Sequence, residues 1–548
     1  MESLPTEVLQ EICYCIGEGR TLKRFRLGSK RINEVVERCL WETRALVIHL
    51  NREELRSGME MLEDLKNRCK TSGYVRALRI ESLAPLKVHR YETERQRLSR
   101  RVKTYSSSEQ DIIVKAWETL TEVLPMALSS LSNLQLVQQW ESSLSVFTSW
   151  RISYQDLEFP FKEIAGGMQT WRHTAVLEPL SRITELKTLA LYSEAPLGIP
   201  LPPLRGFRHL ESLTIGGNWA IDKQTVETNL SPMLYDNPNL TSLSLRADLS
   251  SPDFSLLFPS PKGTGPRLRH LHLEEWNFTV TPTVLPHLRH LRSLELPYGF
   301  FGDKLYDTIW PPFQGHAIHL TQITVNVIDS QFLDYMESFS GLEVLVIKCY
   351  TENELASRLY EVSLPKHRDT LHTIELTAWD DQSELAIGLP NSGTFSSYEK
   401  LVSLSVVVLA EDIKPGQGLE HDVVTSLITS LLHLRHLTFL KICGVMLRGG
   451  PNIDPADTVI MESARRRAVE SLERFRFPKE QLQYADKRPQ LLVSTLTPNG
   501  HYLVESKDEE GMLVFVRENS HPGNDSFYYY NIENPTWHEH DTDNSDIA

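Results

Sequence analysis

From Leu186 onward one phrase keeps returning: a leucine, two residues, an aliphatic residue, one residue, another aliphatic residue. It reads LKTLAL (186–191), LESLTI (210–215), LTSLSL (240–245), LRHLHL (268–273), LRSLEL (291–296), LTQITV (320–325), LEVLVI (342–347), LHTIEL (371–376), LVSLSV (401–406) and LTFLKI (437–442). Successive copies start 22 to 36 residues apart. The last two aliphatic positions alternate, so a short strand turns both toward one core, while the first leucine covers the turn into the strand. A unit this short buries its face only against its neighbours, so the array must be long.

The connecting segments carry helical spacing. In 421–434, Val424, Leu427, Leu431 and Leu434 share one face, and 352–362 is similar. Weaker copies lie upstream: Val75, Leu78 and Ile80 in 74–80, and LSNLQL at 131–136. ALVI (45–48), the helix-patterned 51–69 and the strand-like 74–80 read as one strand–helix–strand unit, so the array starts within a few residues of Trp41. The phrase and its period resemble leucine-rich repeats. The resemblance implies an α/β solenoid over 42–450, with parallel strands on the concave side and helices on the convex side. Asparagine eight positions after the first leucine is clear only at Asn218, which predicts a degenerate array without an asparagine ladder.

The first forty residues read differently. Leu4, Val8, Leu9 and Ile12 would share a helix face, with Pro5 in the first turn. Gly17 and Gly19 stop that helix, Thr21 can cap a short one bearing Leu22 and Phe25, and Ser29 can cap a third. Ile32, Val35, Val36, Cys39 and Leu40 then follow the amphipathic period. Three helices of this size are near the limit of what one core stabilises, so their apolar residues need cover from the rest of the chain or from a partner.

Leu4, Pro5, Glu7, Val8, Leu9 and Ile12, followed by Leu22, Phe25, Ser29 and Lys30, resemble an F-box, the docking module of SCF-type ubiquitin ligases. Gly28 and Ile32 depart from the family pattern, which has valine and an aromatic there. With the repeats, the resemblance is to fungal-type F-box/leucine-rich-repeat proteins. It implies a substrate receptor that docks to an SCF adaptor, and through it to cullin, by Leu4, Pro5, Val8, Leu9, Ile12, Leu22, Phe25, Ser29 and Lys30. A protein target would lie on the solenoid. Six basic and no acidic residues between Arg20 and Arg31 would steer docking to an acidic adaptor, or form a solvated face. The alternative from another class is a repeat scaffold unconnected with ubiquitination, its N-terminal helices being a cap.

Three further segments break the period. Residues 86–108 hold seven basic and two acidic residues and read as an exposed basic insertion. Residues 451–535 carry a helix over 458–478 ended by Pro478, then strand-like runs LLVSTL, HYLVES, GMLVFVRE and SFYYYNI that predict a small antiparallel cap. Residues 536–548 read as an acidic disordered tail.

Composition bounds the chemistry. In 548 residues, 57 basic against 72 acidic side chains give −15, against a general nucleic-acid binder. No apolar run is long enough to span a bilayer and no secretory signal is visible, which with six scattered cysteines points to the cytoplasm or nucleus. No phosphate loop, nucleophile elbow or closed metal-ligand set occurs, so neither an enzyme nor a cofactor is expected. The histidines of HLRH (287–290 and 433–436) read as surface residues before a strand.

Strand residues between the buried leucines should face the target: Thr214, Ser244, Arg246, His270, His272, Glu274, Glu295, Lys348 and Glu375. An aromatic recurs just past the strands, at Tyr192, Trp219, Trp276, Tyr298, Tyr350 and Trp379. Aromatic residues and arginine are common interface anchors, so Arg246, His270, His272, Glu274, Trp276, Tyr298, Lys348, Tyr350 and Trp379 are the candidate target contacts. The rings would serve equally to cover the core at the turn out of each strand.

Overall fold

The computed structural model describes residues 4–16, 29–43, 46–49, 55–67, 72–82, 122–139, 176–193, 199–217, 219–247, 251–259, 265–297, 309–350, 353–377, 385–418, 420–446, 455–476, 492–495, 501–507 and 513–517. They belong to two compact units, Met1–Leu371 and His372–Ala548. The basic insertion, the acidic tail, Asn218, Pro478 and SFYYYNI lie outside the described residues.

The first unit opens with two helices, α1 (Thr6–Ile16) and α2 (Lys30–Thr43). Strands β1 (Leu46–His49), β2 (Ala77–Ser82), β3 (Leu136–Gln139), β4 (Thr188–Ser193), β5 (Ile199–Pro200), β6 (Ser212–Gly217), β7 (Trp219–Ala220), β8 (Ser242–Arg246), β9 (His270–Glu274), β10 (Ser293–Leu296), β11 (Gln322–Val327) and β12 (Val344–Tyr350) follow. Apart from β5 and β7, which pair with each other, these strands lie side by side in chain order, all parallel. The unit is therefore α/β, with an open parallel sheet whose strands are joined through helices and turns.

One register column runs Leu78, Val137, Leu189, Leu213, Leu243, Leu271, Leu294, Ile323 and Leu345, each opposite the next. All nine are buried. Residues two positions on, such as Leu191, Ile215, Leu245 and Ile347, continue that core. The register corrects the reading of LSNLQL. Val137, not Leu136, stands between Leu78 and Leu189, so the repeat leucine is Leu134 and the frame is three residues later. An odd shift sends Leu136 to the other face, where it is half-buried. Leu131 and Leu134 are both buried in the turn that leads from the helix at 122–129, so both satisfy the pattern's first position.

Each repeat leaves the amide of its first leucine away from water, and the chain satisfies it in two ways. Where a helix or turn delivers the chain directly, the bond is local: Leu186 to Ile183 O, Leu240 to Asn237 O, Leu291 to Leu288 O. Elsewhere a group farther along the chain reaches back. Leu210 N–H donates to Asn237 Oδ1 (2.8 Å), Leu268 N–H to His287 O (2.9 Å), Leu320 N–H to Tyr335 Oη (3.1 Å) and Leu342 N–H to His367 Nδ1 (3.2 Å). Asn237 Nδ2 also donates to the carbonyls of Phe207 and Met233, and Tyr335 Oη donates to Ile318 O. His367 must then carry its proton on Nε2, which donates to Met336 O at 3.0 Å. Burial pushes its pKa down from 6.5 to about 4.

The second unit holds β13 (Thr373–Thr377), β14 (Ser403–Leu409), β15 (Phe439–Met446), β16 (Leu492–Thr495), β17 (His501–Lys507) and β18 (Leu513–Arg517). β13 to β15 repeat the leucine phrase, and β16 adds to β15 in parallel. β17 and β18 then turn back antiparallel, so the terminal hairpin continues the repeat sheet rather than packing as a separate layer. The helix Val423–Leu431 starts at Asp422, whose carboxylate accepts from Thr425 N (3.1 Å), Lys414 N (3.0 Å) and the Ser471 hydroxyl (3.1 Å). The next helix runs Pro455–Arg474.

Candidate interaction surfaces

α1 and α2 close on a small core of Leu9, Cys13, Ile32, Val35, Val36 and Cys39, with Leu4 packed against it. Ser29 caps α2, accepting from Ile32 N–H at 3.1 Å, as its position before the helix predicts. Arg31 donates to Leu4 O at 2.8 Å and so ties the start of α1 to α2. Burial raises the Cys13 thiol pKa, with a hydrogen bond to Cys39 opposing it; the pair behaves as packing material.

This arrangement divides the candidate docking residues. Leu9 is sealed inside the helix pair, so it cannot present its side chain to a partner as expected. Leu4 and Ile12 are half-buried. Pro5 is exposed, and Val8 keeps 41% of its surface in water. The single apolar stripe read from the sequence is thus two: Leu9 and Cys13 point inward, while Pro5 and Val8 edge the outside. Ser29 is half-buried and Lys30 exposed; Leu22 and Phe25 lie outside the described residues.

The face of the parallel sheet opposite its leucine core carries the other candidates. Across β6, β8, β9, β10 and β11 the facing column is Thr214, Ser244, His272, Glu295 and Thr324. His272 Nδ1 lies 2.8 Å from Glu295 Oε2, and Arg246 Nε lies 3.4 Å from Glu274 Oε1 on the neighbouring strand. Arg246 and His270 are exposed; Lys348, and Glu375 in the second unit, are half-buried. Glu274 keeps only 9% of its surface in water, so it offers little surface of its own and serves Arg246.

The aromatic rim is not a row of exposed rings. Trp219 and Trp276 are each 6% exposed, so Trp276 covers core where the chain leaves β9 and is no surface anchor. Its neighbour Glu275 takes a left-handed φ of 62°, which bends the chain as it leaves the strand. Tyr192 is half-buried. Tyr350 ends β12 in its strand; Tyr298 and Trp379 lie outside the described residues.

The two HLRH sequences also part company. His433 is exposed, its Nε2 donating to Ser396 O at 2.6 Å. His287 is buried, donates from Nδ1 to Pro266 O at 2.9 Å and stacks on Phe258 with centroids 4.3 Å apart. The expectation of a surface position fails for His287 because the segment before β9 folds over it. Among the described residues no group of three or more His, Cys, Asp or Glu could hold a metal ion, and no helix is long and apolar enough to cross a membrane.

No family model matches the chain, and no curated protein matches it in sequence.

Proposed function

We propose that the chain is a substrate-recognition subunit of an SCF-type ubiquitin ligase, an F-box helical module followed by a degenerate leucine-rich-repeat solenoid. Its first helix docks to the adaptor and the polar face of its parallel sheet holds a protein target. The observation that carries the docking half is on α1. Pro5 and Val8 stand exposed beside a core that the helix pair already completes without them. An isolated pair of helices gains nothing by keeping valine in water, whereas an interface does. The strands in chain order support the other half, because they present a long row of polar side chains on a rigid base.

Co-expression with an SCF adaptor tests this. Pro5→Ala/Val8→Glu should remove adaptor co-purification, since losing an interface anchor costs about 2 kcal/mol or more. The thermal transition should not move. Full retention of the adaptor would leave the second reading, a repeat scaffold capped by its N-terminal helices. The complete burial of Leu9 is the observation that favours that reading.

A further inference from the structure

We propose that the leading ends of β9 and β10 hold an acidic segment of a partner protein. The proposal rests on reading the repeat unit as the target-binding part and is independent of the adaptor.

Arg267, Arg269 and His270 lead into β9; Arg289, His290 and Arg292 lead into β10; all six are exposed. The two strands are tied there by Arg292 N–H and Ser293 N–H, which both donate to Arg269 O, at 2.8 and 2.9 Å. Arg269 and Arg292 therefore occupy neighbouring rungs, about 4.8 Å apart along the hydrogen-bonding direction. Among the described residues, none of the four guanidiniums forms an ion pair.

The rungs beside them are neutral or ion-paired. One rung before the cluster stand Thr241 and Ser242, and one rung after it Thr321 and Gln322. Farther back, Lys187 pairs with Glu211 at 2.8 Å. Toward the trailing ends of β9 and β10, Glu274 and Glu295 are already engaged by Arg246 and His272. Partial desolvation of the His270 ring, despite its exposed edge, lowers its pKa; Glu295 opposes this and Arg269 and Arg292 add to it, so both guanidiniums act on that ring. Like charges on adjacent strands repel. Among the described residues, the ion pairs that engage Lys187, Arg246 and His272 on this face have no counterpart at these four guanidiniums.

The size of the patch selects its occupant. Guanidiniums one rung apart can both reach a single oxyanion or take successive carboxylates of an extended chain. Neutral hydroxyl and amide side chains border it, and Glu211 and Glu343 stand beyond them. A nucleic acid needs a longer basic track, and the net charge of −15 opposes one. A short run of Asp or Glu fits within two strands.

The test uses the purified full chain and fluorescence anisotropy at low ionic strength. The probes are a fluorescein-labelled peptide of alternating glutamate and serine, its phosphoserine form, and single-stranded oligothymidylate. The glutamate peptide should bind saturably and weaken as salt rises. R269E/R292E should lose at least about tenfold in affinity. K400E/R435E, an equal charge change at exposed positions of the second unit, should lose nothing. If the charge reversal impairs folding, R269Q/R292Q serves, with the same expected direction. Tighter binding of the phosphoserine form would support the same oxyanion site. Absence of saturable binding, equal affinity of the double variant, or oligothymidylate binding more tightly than both peptides would overturn the proposal. Adaptor co-purification of R269E/R292E should stay intact, so loss of the peptide and loss of the adaptor are read separately.

Discussion

The helix pair at the start of the chain and the strand ladder after it bury apolar side chains on different scales. The pair closes on six buried residues, and one of its two helices leaves the valine next to buried Leu9 in water, on a different face. The ladder runs one column of leucine, isoleucine and valine through nine strands, and its opposite face is free to be polar. In the ladder, core and surface are separated by the pleat; in the pair, they are separated by a rotation of a hundred degrees or so between neighbouring residues. A partner can therefore take up the outside of α1 only by touching residues adjacent to its core, whereas the sheet can change its polar face without disturbing the leucines beneath.

The contrast can be broken most severely at Asn237. Asn237→Leu would strand the Leu210 amide and the carbonyls of Phe207 and Met233, at a cost of about 4 kcal/mol in urea unfolding. A loss under 1 kcal/mol would mean that the clasp is dispensable. Next comes a matched pair of truncations. Leu345→Ala should cost the first unit about 3 kcal/mol and lower its thermal midpoint. Leu9→Ala removes as much side chain but should speed amide hydrogen exchange within α1 and α2 while leaving the ladder's midpoint in place.

Acid separates the regions again. His367 binds its proton only near pH 4 when folded but near 6.5 when unfolded, so the unfolded chain carries more protons between those values. Stability should be full above the unfolded pKa and fall by up to about 3 kcal/mol as pH drops from 6.5 to 4. His367→Asn should flatten that slope in a series of chemical melts. The smallest effect on folding belongs to the surface: Val8→Glu should change stability by less than about 0.5 kcal/mol.

The parallel strands were legible because their signal is periodic. All ten leucine phrases from 186 onward lead into strands, and only LSNLQL misled, since leucines at 131, 134 and 136 admit two frames. The amide clasps were not legible. Their acceptors are an asparagine, a tyrosine, a histidine and a backbone carbonyl, standing at unequal distances from the leucines they serve. No residue type or spacing links them. Identical HLRH sequences ended in opposite environments because burial of His287 depends on Phe258 and Pro266, upstream of its own repeat. On α1, the inward stripe was missed because Cys13, which packs as a small hydrophobe, was left out of the apolar face read from Leu4, Val8, Leu9 and Ile12. Of the candidate surfaces, the polar positions of the strands were readable from alternation. The unneutralised arginines were not, because ion pairing depends on which strand lies next door.

Strand order matching chain order has a kinetic and an evolutionary side. Every rung of the first sheet joins segments a single connection apart, so each closure is short-range and folding can advance from any stretch already formed. Lengthening a connection costs little, since closure entropy grows only with the logarithm of loop length. A lineage can therefore duplicate, stretch or replace one rung without renegotiating the others. The spacing of 22 to 36 residues between copies shows how far the connections can differ while the rungs keep one register.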